Sequence, residues 1–559
     1  MKYWYSMYYF AILSLLPGIR AFSALNILSQ PYTYLLQNDL AISRQHVKSD
    51  LSRKGLQRTF HLASAFDDFL PEKTSQQQLN HLPPKQYFAT CIPGLASTLA
   101  NELIALGAKH VETSGTSGVY FSSDPSSDVD IGMKSLLWLR SAHRVMELVA
   151  SSTSDETREY YEDNPISSKD ELYSFIQSEL PFQSLFGDGR GGLLTLSVSV
   201  ILNGAVPKEL CHSHYTALTV KNAIVDLIRD VREDGVRPDV DTEDPDVPLV
   251  VVLRGTGSDY NSVDISVFRT LHSGGSLHRR GYRALDAQGL IHKAAMKESL
   301  ASGLLLEAGW DKLIQAAKKD GLPAVLVDPM AGSATLALEA ALIAADYAPG
   351  LMRMRCHAMN NNGHSNGKWN PHQIPPVVRW KGADKDQWKE MLRQAKERAD
   401  RGMTWMKEKN DHDPNGANCV IVINELYSEA CKLASANIRG AGFANMITVN
   451  EGDCIEWDLG GMHDDHDAVS QRTVVPGRTI IASNPPWGLR LNEDIESSWL
   501  SLKTFLRQEC NGAEAWVLSG SKEATRFLRM KKTRSVVVRT ADEDLRWIQY
   551  HVFKKKPVT

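Results

Sequence analysis

The sequence predicts an α/β protein whose C-terminal half is a doubly wound, mostly parallel sheet preceded by smaller α+β units. Three observations carry this. From Gly289 onward, short apolar runs alternate with amphipathic helical ones, the pattern of strand–helix–strand crossovers in a parallel sheet. Several of those runs end in acidic or amide residues next to glycine or proline, and an open parallel sheet binds ligands beyond the carboxyl ends of its strands. Finally, SNPPWGLRL (Ser483 to Leu491) follows the apolar run Thr479-Ile480-Ile481-Ala482. Proline has no N–H to give a ladder, so the strand ends at Asn484 and a stiff turn follows.

Length and composition set the frame. At about 150 residues per domain, 559 residues suggest two to four units. The net charge of -4 does not advertise a nucleic-acid binder, although Leu277 to Arg283 (LHRRGYR) is a local basic segment. Seven cysteines (Cys91, Cys211, Cys356, Cys419, Cys431, Cys454, Cys510) are scattered with no C-x-x-C spacing, so neither a disulfide framework nor a zinc ribbon is expected. Cys211-His212-Ser213-His214 lacks a second ligand pair and reads as a loop; no metal is expected.

Residues 1–70 differ in kind. Lys2, an apolar stretch from Tyr3 to Leu16 and Pro17-Gly18-Ile19-Arg20-Ala21 have the layout of a secretory signal, too short for a membrane span of about 20 residues. From Phe22 the chain carries Arg, Lys, Ser and His, with Asp39 and Asp50 the only acids before Asp67, as transit peptides do. The pair resembles the bipartite presequences of secondary plastids, with Ala21-Phe22 at the cleavage point. The expectation is a plastid address, with the mitochondrion as alternative and a buried N-terminal helix as the structural alternative.

In residues 85–155, Tyr87 to Thr90 reads as a strand, Pro93-Gly94 as a turn, Leu95 to Leu106 as a helix ended by Gly107, Val119 to Phe121 as a strand and Leu136 to Ser151 as a helix. Residues 156–270 start in an acid-rich connector (Thr153 to Asp170) and contain a helix at Leu172 to Leu180, strands at Leu193 to Ile201 and Leu249 to Leu253, a helix between them at Leu218 to Val231, and an alternating strand at Val263 to Phe268. Residues 285–559 then read as helices at Lys293 to Ala308, Leu336 to Ala345 and Ser428 to Gly440, with strands at Ala324 to Val327, Val420 to Ile423, Met446 to Val449, Thr479 to Ala482 and Glu514 to Leu518. Two polar stretches, His357 to Pro376 and Gly460 to Gly477, read as surface insertions; the His and Asp of the second sit on a loop too polar to serve as a metal site.

The strand ends carry the chemistry. After the first comes Asp328-Pro329-Met330-Ala331-Gly332-Ser333-Ala334-Thr335, whose small residues let backbone approach a ligand at a helix start. It lacks the Lys-Ser/Thr of a phosphate loop and the dinucleotide spacing, which disfavours ATP and NAD. After the second come Asn424 and Glu425, an acceptor for ribose hydroxyls; after the third, Glu451-Gly452-Asp453, an acceptor for an adenine amine; after the fourth, Asn484-Pro485-Pro486-Trp487. Each acid alone is equally an ordinary turn residue; together they fit one nucleoside cofactor.

Asp328 to Thr335, Glu425, Asp453 and Asn484 to Trp487 resemble the motifs of class I S-adenosylmethionine-dependent methyltransferases, whose fold is Rossmann-like, and NPPW resembles the signature of those that methylate exocyclic amino groups of bases. Cys91-Ile92-Pro93-Gly94-Leu95, Leu277 to Arg283, Lys297 to Leu300 with Ala308-Gly309-Trp310, and Ala348-Pro349-Gly350-Leu351 are similar to the THUMP-containing RNA methyltransferases, above all the guanine-N2 half of the bacterial enzyme acting on large-subunit ribosomal RNA. The resemblance spans about Tyr87 to Phe553.

It implies a ferredoxin-like and THUMP region that holds RNA, S-adenosyl-L-methionine held by Asp328, Pro329, Met330, Gly332, Ser333, Thr335, Glu425 and Asp453, and a catalytic Asn484, Pro485, Pro486 and Trp487. In that scheme the Asn484 oxygen and the Pro485 carbonyl accept the hydrogens of the base amine and Trp487 stacks on the base. Arg279, Arg280, Arg283 and Lys293 are the cations expected to meet RNA. Guanine in transfer RNA, or adenine, is the alternative substrate, and a non-catalytic RNA-binding ribosome assembly factor the alternative class. The sequence departs from the family at Ala331 and Ala334, where it usually has Cys and Gly; Ala334 is the harder change if the backbone takes positive φ there. The second methyltransferase half is absent, so one reaction is expected.

Overall fold

The computed structural model describes residues 84–552 except 233, 257–260, 274–275, 285–295, 361–373, 411–412, 460–473, 476, 488–494 and 541–542. The presequence, Lys293 and most of both insertions lie outside the described residues. Among the described residues no helix is long and apolar enough to cross a membrane.

Strands β1 (Gln86–Cys91), β2 (Lys109–Ser114), β3 (Gly118–Ser122), β4 (Ala142–Ser151), β5 (Leu196–Asn203), β6 (Val247–Thr256) and β7 (Ser262–Thr270) form one sheet in the order β2-β3-β1-β4-β7-β6-β5. The two N-terminal units read in the sequence therefore share a sheet, joined where β4 pairs antiparallel with β7 from Met146↔Thr270 to Ser151↔Ser266. Strand β5 runs parallel to β6 across the helix Ser213–Val231, the crossover a parallel pair requires.

The expected helix from Leu136 to Ser151 is a correction. A helix, Ile131–Trp138, stops early and the chain continues as β4. Glu102, on the helix Ala96–Leu106, accepts hydrogen bonds from the N–H groups of Arg140 (2.8 Å) and Ser141 (3.0 Å), so the turn after Trp138 is fixed from outside the segment. Strand β4 is then paired along both edges, by β1 and β7, and this tertiary pairing overrides its local helical preference.

The C-terminal sheet contains β8 (Ala324–Asp328), β11 (Cys419–Glu425), β12 (Ile447–Glu451), β13 (Thr479–Ser483), β14 (Glu514–Ser519), β15 (Lys532–Arg539) and β16 (Asp544–His551). A small hairpin, β9 (Lys409–Asn410) and β10 (Asp413–Ala417), precedes β11. The order is β12-β11-β8-β13-β14-β16-β15, with β16 antiparallel to both neighbours and the remaining pairs parallel. All five residues of β8 and of β13 are buried, which is why both read as unbroken apolar runs. From β8 the chain builds outward through β11 and β12, then returns to place β13 on the other side of β8. That reversal of strand order opens a crevice at the carboxyl ends of β8 and β13.

Candidate active site

Strand β8 delivers Asp328 into the crevice, where it is 1% exposed, and the loop after it turns through two left-handed residues, Gly332 (φ +55) and Ala334 (φ +63). Ala334 precedes the helix Thr335–Ala344 and is itself buried. The loop is tied to its neighbours: the Gly332 N–H donates to Glu425 Oε2 (2.8 Å) and the Ala331 N–H to the Asn424 carbonyl (2.9 Å). Asn424 Nδ2 donates to the carbonyls of Pro329 (3.2 Å) and Gly452 (3.0 Å), while its Oδ1 accepts from Asn450 Nδ2 (2.6 Å). The Gly452 N–H returns to the Glu425 carbonyl (3.0 Å). One buried amide thus fastens three strand-end loops together. Asp453 heads a 3-10 turn, Cys454–Glu456, by accepting from the Ile455 N–H (3.1 Å).

Burial first, and the nearby charge of Glu425 after it, push the Asp328 carboxyl up to about 8 against the opposing pull of the Met330 N–H (3.2 Å) and the Ser483 hydroxyl. The crevice is therefore a place where carboxylate charge is costly until a cation arrives. A ligand carrying an ammonium or sulfonium centre and ribose hydroxyls fits this donor set, since Asp328 and Glu425 offer acceptors and receive backbone N–H groups.

Across the crevice, β13 ends at Ser483, one residue before Asn484. The Trp487 indole N–H donates to Asn484 Oδ1 (3.1 Å), and the Pro486 carbonyl accepts from the indole N–H of Trp499 (2.7 Å), which is fully buried on the helix Ile495–Glu509. The Trp487 ring lies against Gly520, just past β14, where an added Cβ would come within 2.7 Å of it. The turn is thus braced from two further elements of the fold. Trp499, Asn450 and Gly520 escaped the sequence reading, because their role depends on which strand ends become neighbours.

The expected RNA-facing cations divide. Arg280 is a correction: it is 0% exposed and pairs with the equally buried Glu339 (3.4 Å), so it cannot meet RNA. Its guanidinium also donates to the carbonyls of Leu277 (2.7 Å) and Arg140 (2.5 Å), while Tyr282 and Ser302 donate to Glu339. Arg283 donates to Thr335 Oγ1 (2.9 Å) and pairs with Glu298 (3.4 Å), which directs it into the protein and against the first residue of the helix after the cofactor loop. Arg279 is exposed. The LHRRGYR segment is mainly a buried strap between the N-terminal sheet and the catalytic region.

The sheet order, the reversal beside β8 and the acceptors at successive strand ends define a class I methyltransferase. Three family models match in succession: an RlmL ferredoxin-like domain over residues 86–146, a THUMP domain over 204–257, and an RMKL-like methyltransferase domain over 280–549. The chain is a THUMP-containing methyltransferase whose catalytic region belongs to the RMKL-like domains, a class that uses S-adenosylmethionine as methyl donor. It is similar to the ribosomal RNA large subunit methyltransferase K/L of Aeromonas salmonicida (30% identical over 461 residues, 80% of this chain and 51% of that one) and to the enzyme of the same name from Hydrogenovibrio crunogenus (28% over 452 residues, 80% and 50%). The chain spans about half the length of these relatives. A solved chain complexed with SAH shares the fold (TM-score 0.59, 18% identity, 85% of this chain and 100% of that one).

Proposed function

We propose that this protein transfers a methyl group from S-adenosylmethionine to the exocyclic N2 of a guanine in large-subunit ribosomal RNA. The observation that carries this reading is Asn484, held by Trp487 just past the end of β13, the strand that pairs with β8, whose own carboxyl end carries Asp328 and the loop tied to Glu425. The cofactor supplies an electrophilic methyl group when bound. A base amine is a poor nucleophile because its lone pair is delocalised into the ring. Asn484 Oδ1 and the Pro485 carbonyl accept its hydrogens, which localises that lone pair, and the turn's rigidity sets its direction. The target base leaves its stack to enter, at roughly a few kcal/mol.

The relatives' printed names support ribosomal RNA as substrate. The composition of residues 1–70 supports action inside a plastid; a reporter fused to that segment and retained in the cytosol would remove this part. The chemistry is tested by incubating purified protein with S-adenosylmethionine and a large-subunit ribosomal RNA transcript, then profiling nucleosides. N2-methylguanosine is expected. N6-methyladenosine, or modification of transfer RNA alone, would move the substrate, and RNA binding without any product would leave an assembly factor.

A further inference from the structure

We infer that the connection from β14 to the start of the edge strand β15 is a track for the RNA sugar–phosphate backbone, formed by Lys522, Arg526, Arg529, Lys531 and Lys532; this rests on the RNA reading above. Residues 522–534 contain six cations and one acid, Glu523, in a chain whose net charge is -4. All six cations are exposed. Arg534 is held by Glu307 (2.5 Å), whereas none of the other five has an ion-pair partner among the described residues. Arg507, also exposed, donates to the Arg529 carbonyl (3.4 Å) and brings a further cation to the same surface.

The placement links this surface to the site. Lys522 lies two residues beyond Gly520, the residue on which the Trp487 ring rests. The pairing of β15 with β16 sets Arg539 beside Asp544 at that same end of the sheet and Lys532 beside Tyr550 at the opposite end. At about 3.3 Å per residue, the eight residues of β15 separate those two ends of the sheet by roughly 25 Å, room for several phosphates of one strand between Lys522 and Lys532. Lysines on an edge strand also discourage strand pairing between molecules, but Arg526 and Arg529 are off the strand. Arg529 has φ +48, a left-handed conformation in which glycine is the unstrained choice. Its backbone does not account for an arginine there, and its exposed side chain does.

The test is salt-dependent binding of a fluorescently labelled stem–loop transcript of large-subunit ribosomal RNA to the full chain. A variant combining Arg526→Gln, Arg529→Gln, Lys531→Gln and Lys532→Gln should lower the log–log salt slope by about 3 and raise the KM for RNA roughly tenfold or more, at about 0.7–0.9 per phosphate contact. Its kcat at saturating RNA and its S-adenosylmethionine affinity should stay at parent values. Arg529→Gly, which relieves the left-handed strain, should hold or raise the melting temperature while lowering the slope by about one contact. Unchanged slopes in both variants, or a parent that binds no RNA, would overturn the track. A parent that makes no N2-methylguanosine but shows the slope change would sink the proposed reaction and leave the track standing.

Discussion

The indole N–H of Trp487 donates to Asn484 Oδ1 over 3.1 Å, so the aromatic residue of the NPPW turn orients the amide that the proposed reaction uses. Part of that oxygen's acceptor capacity is committed before RNA arrives, and the rest is aimed by the same bond. Trp487→Phe keeps an aromatic ring in the turn and removes the donor to Asn484. Loss of one such hydrogen bond, about 1–1.5 kcal/mol, should lower kcat roughly tenfold, with little change in the KM for RNA. A kcat equal to the parent's in single-turnover methyl transfer would show that Asn484 needs no brace.

Ala334 takes φ +63 where the family usually has glycine, so the sequence expectation of a strained position is met. Yet its methyl group is wholly buried and packs with the apolar core. Left-handed strain costs about 1–2 kcal/mol, against about 0.8 for an extra buried methyl group and roughly 0.5–1 for the entropy glycine would lose. These nearly cancel. Ala334→Gly should therefore change S-adenosylmethionine affinity less than about tenfold, and calorimetry on both proteins checks it. No binding by the parent, restored in the glycine variant, would mean the alanine had disabled the loop.

Asp328 provides a pH signature. Its folded carboxyl titrates near 8, above its ordinary value of 3.8, because it is buried. The folded apo protein then holds a proton that the unfolded chain has released. Stability from this group is complete below the unfolded value and is lost as pH rises toward 8. A cationic ligand favours the carboxylate, so S-adenosylmethionine affinity should tighten from pH 6 to 8 while apo stability falls. Asp328→Asn should flatten both trends. Identical pH profiles in parent and variant would assign the cofactor's cation to another group.

What the sequence made legible was whatever chemistry confines locally. Proline placed the end of β13 within a residue, and apolar runs located β8, β11 and β13 because strands buried on both faces have no other way to read. The reading failed where a distant partner decides. Nothing within LHRRGYR shows that Arg280 meets Glu339, fifty-nine residues on, and an arginine beside exposed Arg279 looks equally solvated. Nor does Ala142 to Ser151 show that two strands will pair with it. The carboxylates of the site were visible as strand-end residues, but the amide of Asn424 that fastens their loops became meaningful only when Pro329, Gly452 and Asn450 were brought around it.

The turn Pro93-Gly94 joins the N-terminal sheet to the catalytic region. Gly94 has φ +102, and a Cβ built there would lie 2.0 Å from the carbonyl oxygen of Val537 on β15. Next to it, the Arg539 N–H donates to the Pro93 carbonyl (2.9 Å), a backbone contact from the catalytic sheet's edge to the N-terminal unit. No rotamer change relieves a clash between two backbones, so Gly94→Ala must either separate the units here or strain both. The left-handed penalty alone is about 1–2 kcal/mol, and the lost contact adds to it. The expected outcome is a lower melting temperature and faster limited proteolysis between the N-terminal sheet and the catalytic region. S-adenosylmethionine binding should be nearly unchanged, because Asp328, Glu425 and their loops do not touch this junction. A parent-like proteolysis pattern would show that the junction is held elsewhere, with the buried Arg280–Glu339 pair the next place to look.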